Sequence, residues 1–256
     1  MDYSAITNEV FKLWWVLPIM LAVAILRFPW FRGLRGEVLV KFAARLRLPA
    51  ETYHAIHNVT LPTPDGTTQI DHIFVSQFGI FVVETKNMRG WIFGGEGQAQ
   101  WTQKIFRESF KFQNPLRQNY KHVKALEMVL DVPPATIHSI VVFAGDCAFK
   151  TPMPANVTSG GGYITYIKSF SEPVLSELQV QRAVSQIQAA RLEPTRETHR
   201  QHVQQLKMRA DPSAQRKCPR CGNRMVLRTA KRGVGAGNQF WGCSAYPRCK
   251  AVQNVT

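Results

Sequence analysis

Apolar and polar positions divide the chain into stretches with different periods. Residues 13–26, LWWVLPIMLAVAIL, are uncharged and apolar throughout, bracketed by Lys12 and Arg27. Adding RFPWF extends the run to Phe31, nineteen residues in all. That is close to the roughly 20 a membrane-spanning helix needs. Trp14, Trp15 and Trp30 fall at its ends, where interfacial aromatics belong. The run predicts an N-terminal membrane anchor over 1–32, with a buried core helix or a signal peptide as alternatives. RFPWFRG is a poor cleavage site. Arg27, Arg32, Arg35 and Lys41 follow the run and only Lys12 precedes it. This bias places the rest of the chain in the cytoplasm, as a single-pass protein of a bacterial inner membrane.

Beyond the run the periods alternate. GLRGEVLVKFAARLRL carries Leu34, Val38, Leu39, Phe42 and Leu46 near i, i+4, i+8 spacing, an amphipathic helix. YHAIHNVTLP reads as a strand, and TPDGTTQ as a hairpin turn. IDHIFVSQFGIFVVETK reads as two buried strands joined at Phe78-Gly79. GWIFGGEGQAQWTQ predicts a further hairpin in which Trp91 and Trp101 serve packing. NPLRQNYKHVKALEMVL opens with an N-cap and Pro pair and continues as a helix. IHSIVVFAGDCAF holds a short buried strand. Residues 174–192 are helical again. The order predicts an α/β fold with a mixed central sheet flanked by helices, over residues 33–190. A polar helical linker, 191–215, leads to a small module at 216–256.

Three charges interrupt the apolar strands. Asp71 lies at the start of one strand. Glu84 and Lys86, two apart, share a face of the next. The turn can bring Asp71 beside Glu84. Two buried carboxylates repel, and a divalent cation removes the penalty. Mg²⁺ takes one or two carboxylates together with water and phosphate oxygens. Lys86 would orient or deprotonate an attacking water and steady charge on a phosphate. The bland alternative is an Asp71–Lys86 ion pair with Glu84 at a sheet edge. Glu37, near a helix start, is equally well explained by the helix dipole. Gln118 and His122, spaced i, i+4, share one helical face. His72 neighbours Asp71 but points to the opposite side of its strand.

The spacing D-x12-E-x-K resembles the PD-(D/E)xK, restriction-endonuclease-like nuclease core. With GEVLV, DHIFVSQFGIFVVETKNMRG, WTQ and NPLRQNYKHVKAL it resembles the nuclease-related domain, NERD, over about residues 33–145. The resemblance implies a small α/β core and metal-dependent nucleic acid cleavage. It places Glu37, Asp71, Glu84, Lys86 and Gln118 at the active site.

The last stretch supplies different chemistry. Cys218 and Cys221 form CxxC, and Cys243 and Cys249 form C-x5-C after a gap of 21 residues. Four thiolates at this spacing suit a structural Zn²⁺, whose binding would supply the segment's folding energy. RMVLRTA and NQFWGCS predict strands joined by KRGVGAG. The fifth cysteine, Cys147, reads as a buried small hydrophobe. The odd count and metal-like spacing argue against a disulfide scaffold. CPxCG…FWGCSxYPxC is similar to the C4 zinc ribbons of bacterial type I topoisomerases, which implies binding of DNA, largely single-stranded. No topoisomerase catalytic region accompanies it.

Charge agrees with that implication. The chain has 32 Lys and Arg against 17 Asp and Glu, a net +15. Such a balance points to a polyanion. Residues 213–256 hold nine Lys or Arg and no acid. Arg220, Arg224, Arg228, Lys231, Arg232 and Arg248 would follow phosphates while Phe240, Trp241 and Tyr246 stack on bases. Trp241, next to Cys243, alternatively shields the metal. The sequence therefore predicts a membrane-anchored, Mg²⁺-dependent DNA nuclease with a zinc ribbon. The alternatives are a non-catalytic membrane tether for DNA and an RNA-directed nuclease.

Overall fold

The structure is a computed structural model. It describes residues 29–64, 66–195, 216–230 and 239–254, with isolated positions at 16, 18, 20, 197, 198, 200, 203 and 204. Side chains of residues 29–35 and 254 are outside the description. Most of the expected anchor over 1–32 and most of the linker over 191–215 therefore lie outside the described residues. Among those described, no helix is long and apolar enough to cross a membrane.

The first layer is helix α1, Pro29–Arg47. Strands β1 (His54–Thr63), β2 (Gly66–Ser76) and β3 (Gly79–Lys86) follow as an antiparallel meander. The chain then builds a second sheet from β4 (Gly90–Phe93), β5 (Gln100–Ile105) and β6 (Glu108–Gln113). Helix α2, Pro115–Glu127, returns it to the first sheet, where β7 (Ile137–Phe143) pairs parallel to β3. Strand β8 (Cys147–Phe149) joins β4, and β9 (Val157–Ser159) joins β7. Helices α3 (Gly162–Lys168) and α4 (Glu177–Ala190) close the domain. The central sheet has the order β1-β2-β3-β7-β9 and is mixed. The second has the order β6-β5-β4-β8.

Two apolar layers sandwich the central sheet. Ile56, Ile70, Ile73, Ile80 and Val82 pack against Val123 and Leu126 of α2 and Val180 and Ile187 of α4. Phe74, Phe81, Val83 and Ile140 pack against Val40 and Ala44 of α1 and Ile164 of α3. Tyr163 ties the second layer by donating its buried hydroxyl to the Val40 carbonyl at 2.6 Å.

Helix α1 corrects an expectation. Its apolar stripe should face the core, yet Val38, Leu39, Phe42 and Leu46 are all exposed. The buried row is Gly36, Val40, Ala44 and Leu48 instead. Small residues let the helix lie close to the strands. A Cβ at Gly36 would stand 2.7 Å from the Asn87 Cβ.

A second departure lies in β1. Asn58 adopts left-handed backbone, φ 51°, in the gap between the pairs His57↔His72 and Val59↔Ile70. Buried positions change phase there, from Leu61 and Val59 to Ile56 on β1, and from Thr68 and Ile70 to Ile73 and Val75 on β2. Asn tolerates this conformation better than most residues. Asp71 sits at this phase change, within β2 rather than at its start.

The zinc-ribbon region forms a three-stranded antiparallel sheet of β10 (Met225–Thr229), β11 (Gln239–Cys243) and β12 (Val252–Asn254). The first two strands match RMVLRTA and NQFWGCS. Strands β6, β8, β9 and β12, and helix α3, were not legible in the sequence.

Candidate nuclease site and zinc ribbon

Strand β3 is the middle of the central sheet, so Glu84 is buried, with 3% exposure, rather than at an edge. Alternation turns Glu84 and Lys86 to the side covered by α2. Lys86 Nζ lies 2.8 Å from Glu84 Oε1, and donates to Gln118 Oε1 at 2.8 Å. The alternative reading, an Asp71–Lys86 ion pair, gives way to a Lys86–Glu84 pair. Asp71 Oδ2 instead accepts the Thr85 backbone N–H at 2.8 Å.

Helix α2 is fixed by two buried asparagines. Asn114 caps it, accepting from the Leu116 N–H, while its Nδ2 reaches the carbonyls of Glu96 and Gln98 in the β4–β5 loop. Asn119 Nδ2 reaches the carbonyls of Val82 on β3 and Ile140 on β7, at 2.9 Å each. The register this sets brings Gln118 to Lys86 and His122 to Glu84. His122 Nε2 lies 3.2 Å from Glu84 Oε2, and His122 Nδ1 lies 2.7 Å from Thr68 Oγ1. Because a carboxylate only accepts, Nε2 carries the proton; in the neutral ring Nδ1 then accepts from Thr68. Sequence spacing singled out His122 only as a neighbour of Gln118. Thr68 and Asn119 gave no sequence signal, because their partners are distant in the chain.

The electrostatics separate the acids. Burial pushes the Asp71 carboxyl well above its ordinary value, and the Glu84 charge pushes it further. Glu37 adds to this, while the Thr85 N–H and Lys86 oppose it. Burial raises Glu84 too, but Lys86 and the His122 hydrogen bond outweigh it and leave Glu84 below its ordinary value. Glu37 is raised, first by desolvation and then by Glu84. Helix α1 thus carries Glu37 within electrostatic reach of the site. Asp71 is thereby biased toward holding a proton, and Glu84 toward a charge balanced by Lys86. A divalent cation at Asp71 would take the place of that proton.

His72 lies away from the site proper. Its Nδ1 is 2.9 Å from His57 Nδ1, and burial, with His57 and Lys41 nearby, lowers it to about 3. His72 is therefore a neutral packing residue.

The four cysteines converge. Among the described residues, only they gather three or more His, Cys, Asp or Glu ligand atoms within 4.8 Å of one another. Cys218 and Cys249 sulfurs are 3.7 Å apart, and Cys221 and Cys243 sulfurs 3.4 Å. Tetrahedral Zn–S bonds of about 2.3 Å give an S···S separation of about 3.8 Å, so the set fits Zn²⁺. Asn223 hydrogen bonds hold the Cys221 thiol down at about 6. The Ala245 N–H donates to Cys243 Sγ at 3.4 Å. Cys147 is apart, its thiol pushed up to about 11 by burial and then Asp146.

Trp241, expected on a base-stacking surface, is buried with 3% exposure among the cysteines and Met225, with Arg216 over its ring at 4.4 Å. It shields the sulfurs. Tyr246 is exposed, with Arg228 at 5.6 Å over its ring. Phe240 is half-buried, and Arg220, Arg224 and Arg248 are exposed. Lys231 and Arg232 lie outside the described residues.

Comparison with known proteins agrees with this division. A family model described as the nuclease-related domain, NERD, matches residues 32–144. A second, the topoisomerase DNA binding C4 zinc finger, matches residues 215–256. An uncharacterized protein of Bacillus anthracis is 42% identical over 161 residues, spanning 62% of this chain and 74% of that protein. No solved structure matches. The chain belongs to the nuclease-related-domain family, and it joins that domain to a topoisomerase-type C4 zinc ribbon.

Proposed function

We propose that this protein is a metal-dependent nuclease that hydrolyses DNA phosphodiester bonds, with its zinc ribbon holding the DNA. The observation that carries the reading is the buried cluster on β2, β3 and α2. Asp71, Glu84, Lys86 and Gln118 gather there, with Asp71 driven toward its neutral form. A buried group whose titration is shifted by desolvation and by specific charged neighbours is a functional-site candidate. Asp71 and Glu84 would hold Mg²⁺, which supplies Lewis-acid polarisation of the phosphate and a more acidic water. Lys86 places its ammonium beside that position and steadies developing negative charge. Gln118 holds Lys86 in place, and Glu37 biases the local field. The run at 13–31 would moor the protein to a membrane.

One observation favours a second reading, a non-catalytic DNA-binding protein. Both Glu84 oxygens are engaged, by Lys86 and by His122, as in a structural ion-pair network. One assay separates the two. Zinc-loaded full-length protein is incubated with labelled single- and double-stranded DNA and RNA, with Mg²⁺ and with none. Mg²⁺-dependent DNA cleavage that disappears in Lys86→Ala supports the nuclease. Binding without cleavage under Mg²⁺, Mn²⁺ and Co²⁺ supports the binding protein, and cleavage of RNA alone redirects the substrate.

A further inference from the structure

Trp91 was expected to pack within a hairpin, as its neighbour Trp101 does. Trp101 is fully buried, but Trp91 is 48% exposed. The register of the second sheet explains this. Ile92 pairs with Gln103, next to Trp101, on the core side. Trp91 pairs with Lys104 on the outer side, and Thr102 on that side pairs with Lys111. The outward positions of β4, β5, β6 and β8 include Trp91, Phe93, Thr102, Lys104, Ser109 and Lys111, and no Asp or Glu. Glu108 is opposite Ile105 and takes the other side.

Cations surround the ring. Lys150 Nζ lies 4.8 Å from the Trp91 centroid and Lys104 Nζ 5.9 Å. Lys111 Nζ donates to Thr102 Oγ1 at 2.9 Å. Beyond them, Phe106 at the β5–β6 turn is 92% exposed and followed by Arg107. The sheet is joined to the candidate site at both ends. Strand β4 begins just past Lys86, and β6 runs through Asn114 into the helix that carries Gln118.

We infer that the outward face of this second sheet is a binding platform for single-stranded nucleic acid, in which a base stacks on Trp91 while Lys104, Lys111 and Lys150 take the flanking phosphates. An aromatic face ringed by cations and free of acids matches how unpaired strands are held without sequence preference. Its continuity with β3 and α2 would present the strand to the acids. The inference rests on the nucleic-acid reading of this protein but not on catalysis, since binding is measured without Mg²⁺.

The test uses zinc-loaded full-length protein and fluorescein-labelled oligo(dT) and oligo(rU) carrying 5-iodouracil. Affinity is read by anisotropy, and photo-crosslinks are mapped to peptides by mass spectrometry. An adduct on the peptide containing Trp91 is expected, besides any on the ribbon. Trp91→Ala should remove that adduct and weaken binding by about 5- to 150-fold, the worth of one stacked base. Trp91→Phe should retain most of the affinity. Lys104→Gln and Lys150→Gln should each flatten the salt dependence by about 0.7 in the log–log slope. Unchanged melting of each variant shows that the fold is kept. Adducts confined to the ribbon, with affinity unchanged in Trp91→Ala, would overturn the inference. So would equal losses for duplex and single strand. Binding and crosslinking are read without Mg²⁺ and cleavage is scored separately with it, so a failed platform and a failed nuclease are told apart.

Discussion

Replacing Lys86 with Met removes the ammonium that balances a buried carboxylate. Glu84 has 4% side-chain exposure and Lys86 21%, with 2.8 Å between Nζ and Oε1. Stranding one member of a buried pair costs about 3–5 kcal/mol. His122 Nε2 remains 3.2 Å from the other oxygen, and Lys86 is partly solvated, which favours the lower end. The expected loss is about 3 kcal/mol. In a domain this size that is a fall of roughly 6–12 °C in Tm. The sign also gives a pH signature. Glu84 is held below its ordinary value, burial opposing and Lys86 and His122 prevailing. Its contribution is thus present above the unfolded carboxylate range and lost as pH falls through the folded value. The variant should lose most at neutral pH and little in acid. Differential scanning fluorimetry of zinc-loaded protein without Mg²⁺, from pH 4 to 8, measures this. Adding Glu84→Gln to Lys86→Met should recover most of the loss, because no charge is then stranded. A single variant that melts within 1 °C of wild type at pH 7.5 would refute the reasoning.

Three further outcomes follow from other parts of the molecule. Asp71 is raised by burial and by Glu84, so its contribution is full below its ordinary value of 3.8 and fades as pH rises through the folded value; Asp71→Asn should flatten the metal-free pH–stability profile above that range and abolish cleavage. Cys218→Ser should release zinc, measured by colorimetric chelation, and melt the ribbon, whose folding energy is the metal's; the melting transition of the 33–190 domain should be unchanged. Gly36→Val places a Cβ 2.7 Å from Asn87 and should cost about 1–3 kcal/mol in chemical denaturation by lifting α1 from the sheet.

Local signals carried much of the fold. The β2–β3 pair, the Asn114-Pro115 helix start and the cysteine spacing were all readable, because each is decided by neighbours in sequence. Helix α1 was misleading, since its larger apolar residues occupy the exposed side. Gly36, Val40 and Ala44 won the inner side by allowing close approach, which no periodicity records. Strands β8 and β9 have three residues each, too few to show a period. Strand β6, ESFKFQ, alternates weakly and is largely exposed. The site was legible as residue types but not as partners. Only the fold shows that Lys86 serves Glu84 rather than Asp71, and that Thr68 reaches His122 across 54 residues. Trp241 illustrates the same limit, since its place beside Cys243 suited stacking and shielding equally until its burial decided.

The most direct measurement titrates Mn²⁺ into zinc-loaded full-length protein while bound ion is counted by electron paramagnetic resonance. One site is expected beyond the zinc, tightening as pH rises because the ion competes with a proton on Asp71. Asp71→Asn and Glu84→Gln should each abolish it. A manganese stoichiometry indifferent to both substitutions would contradict the account.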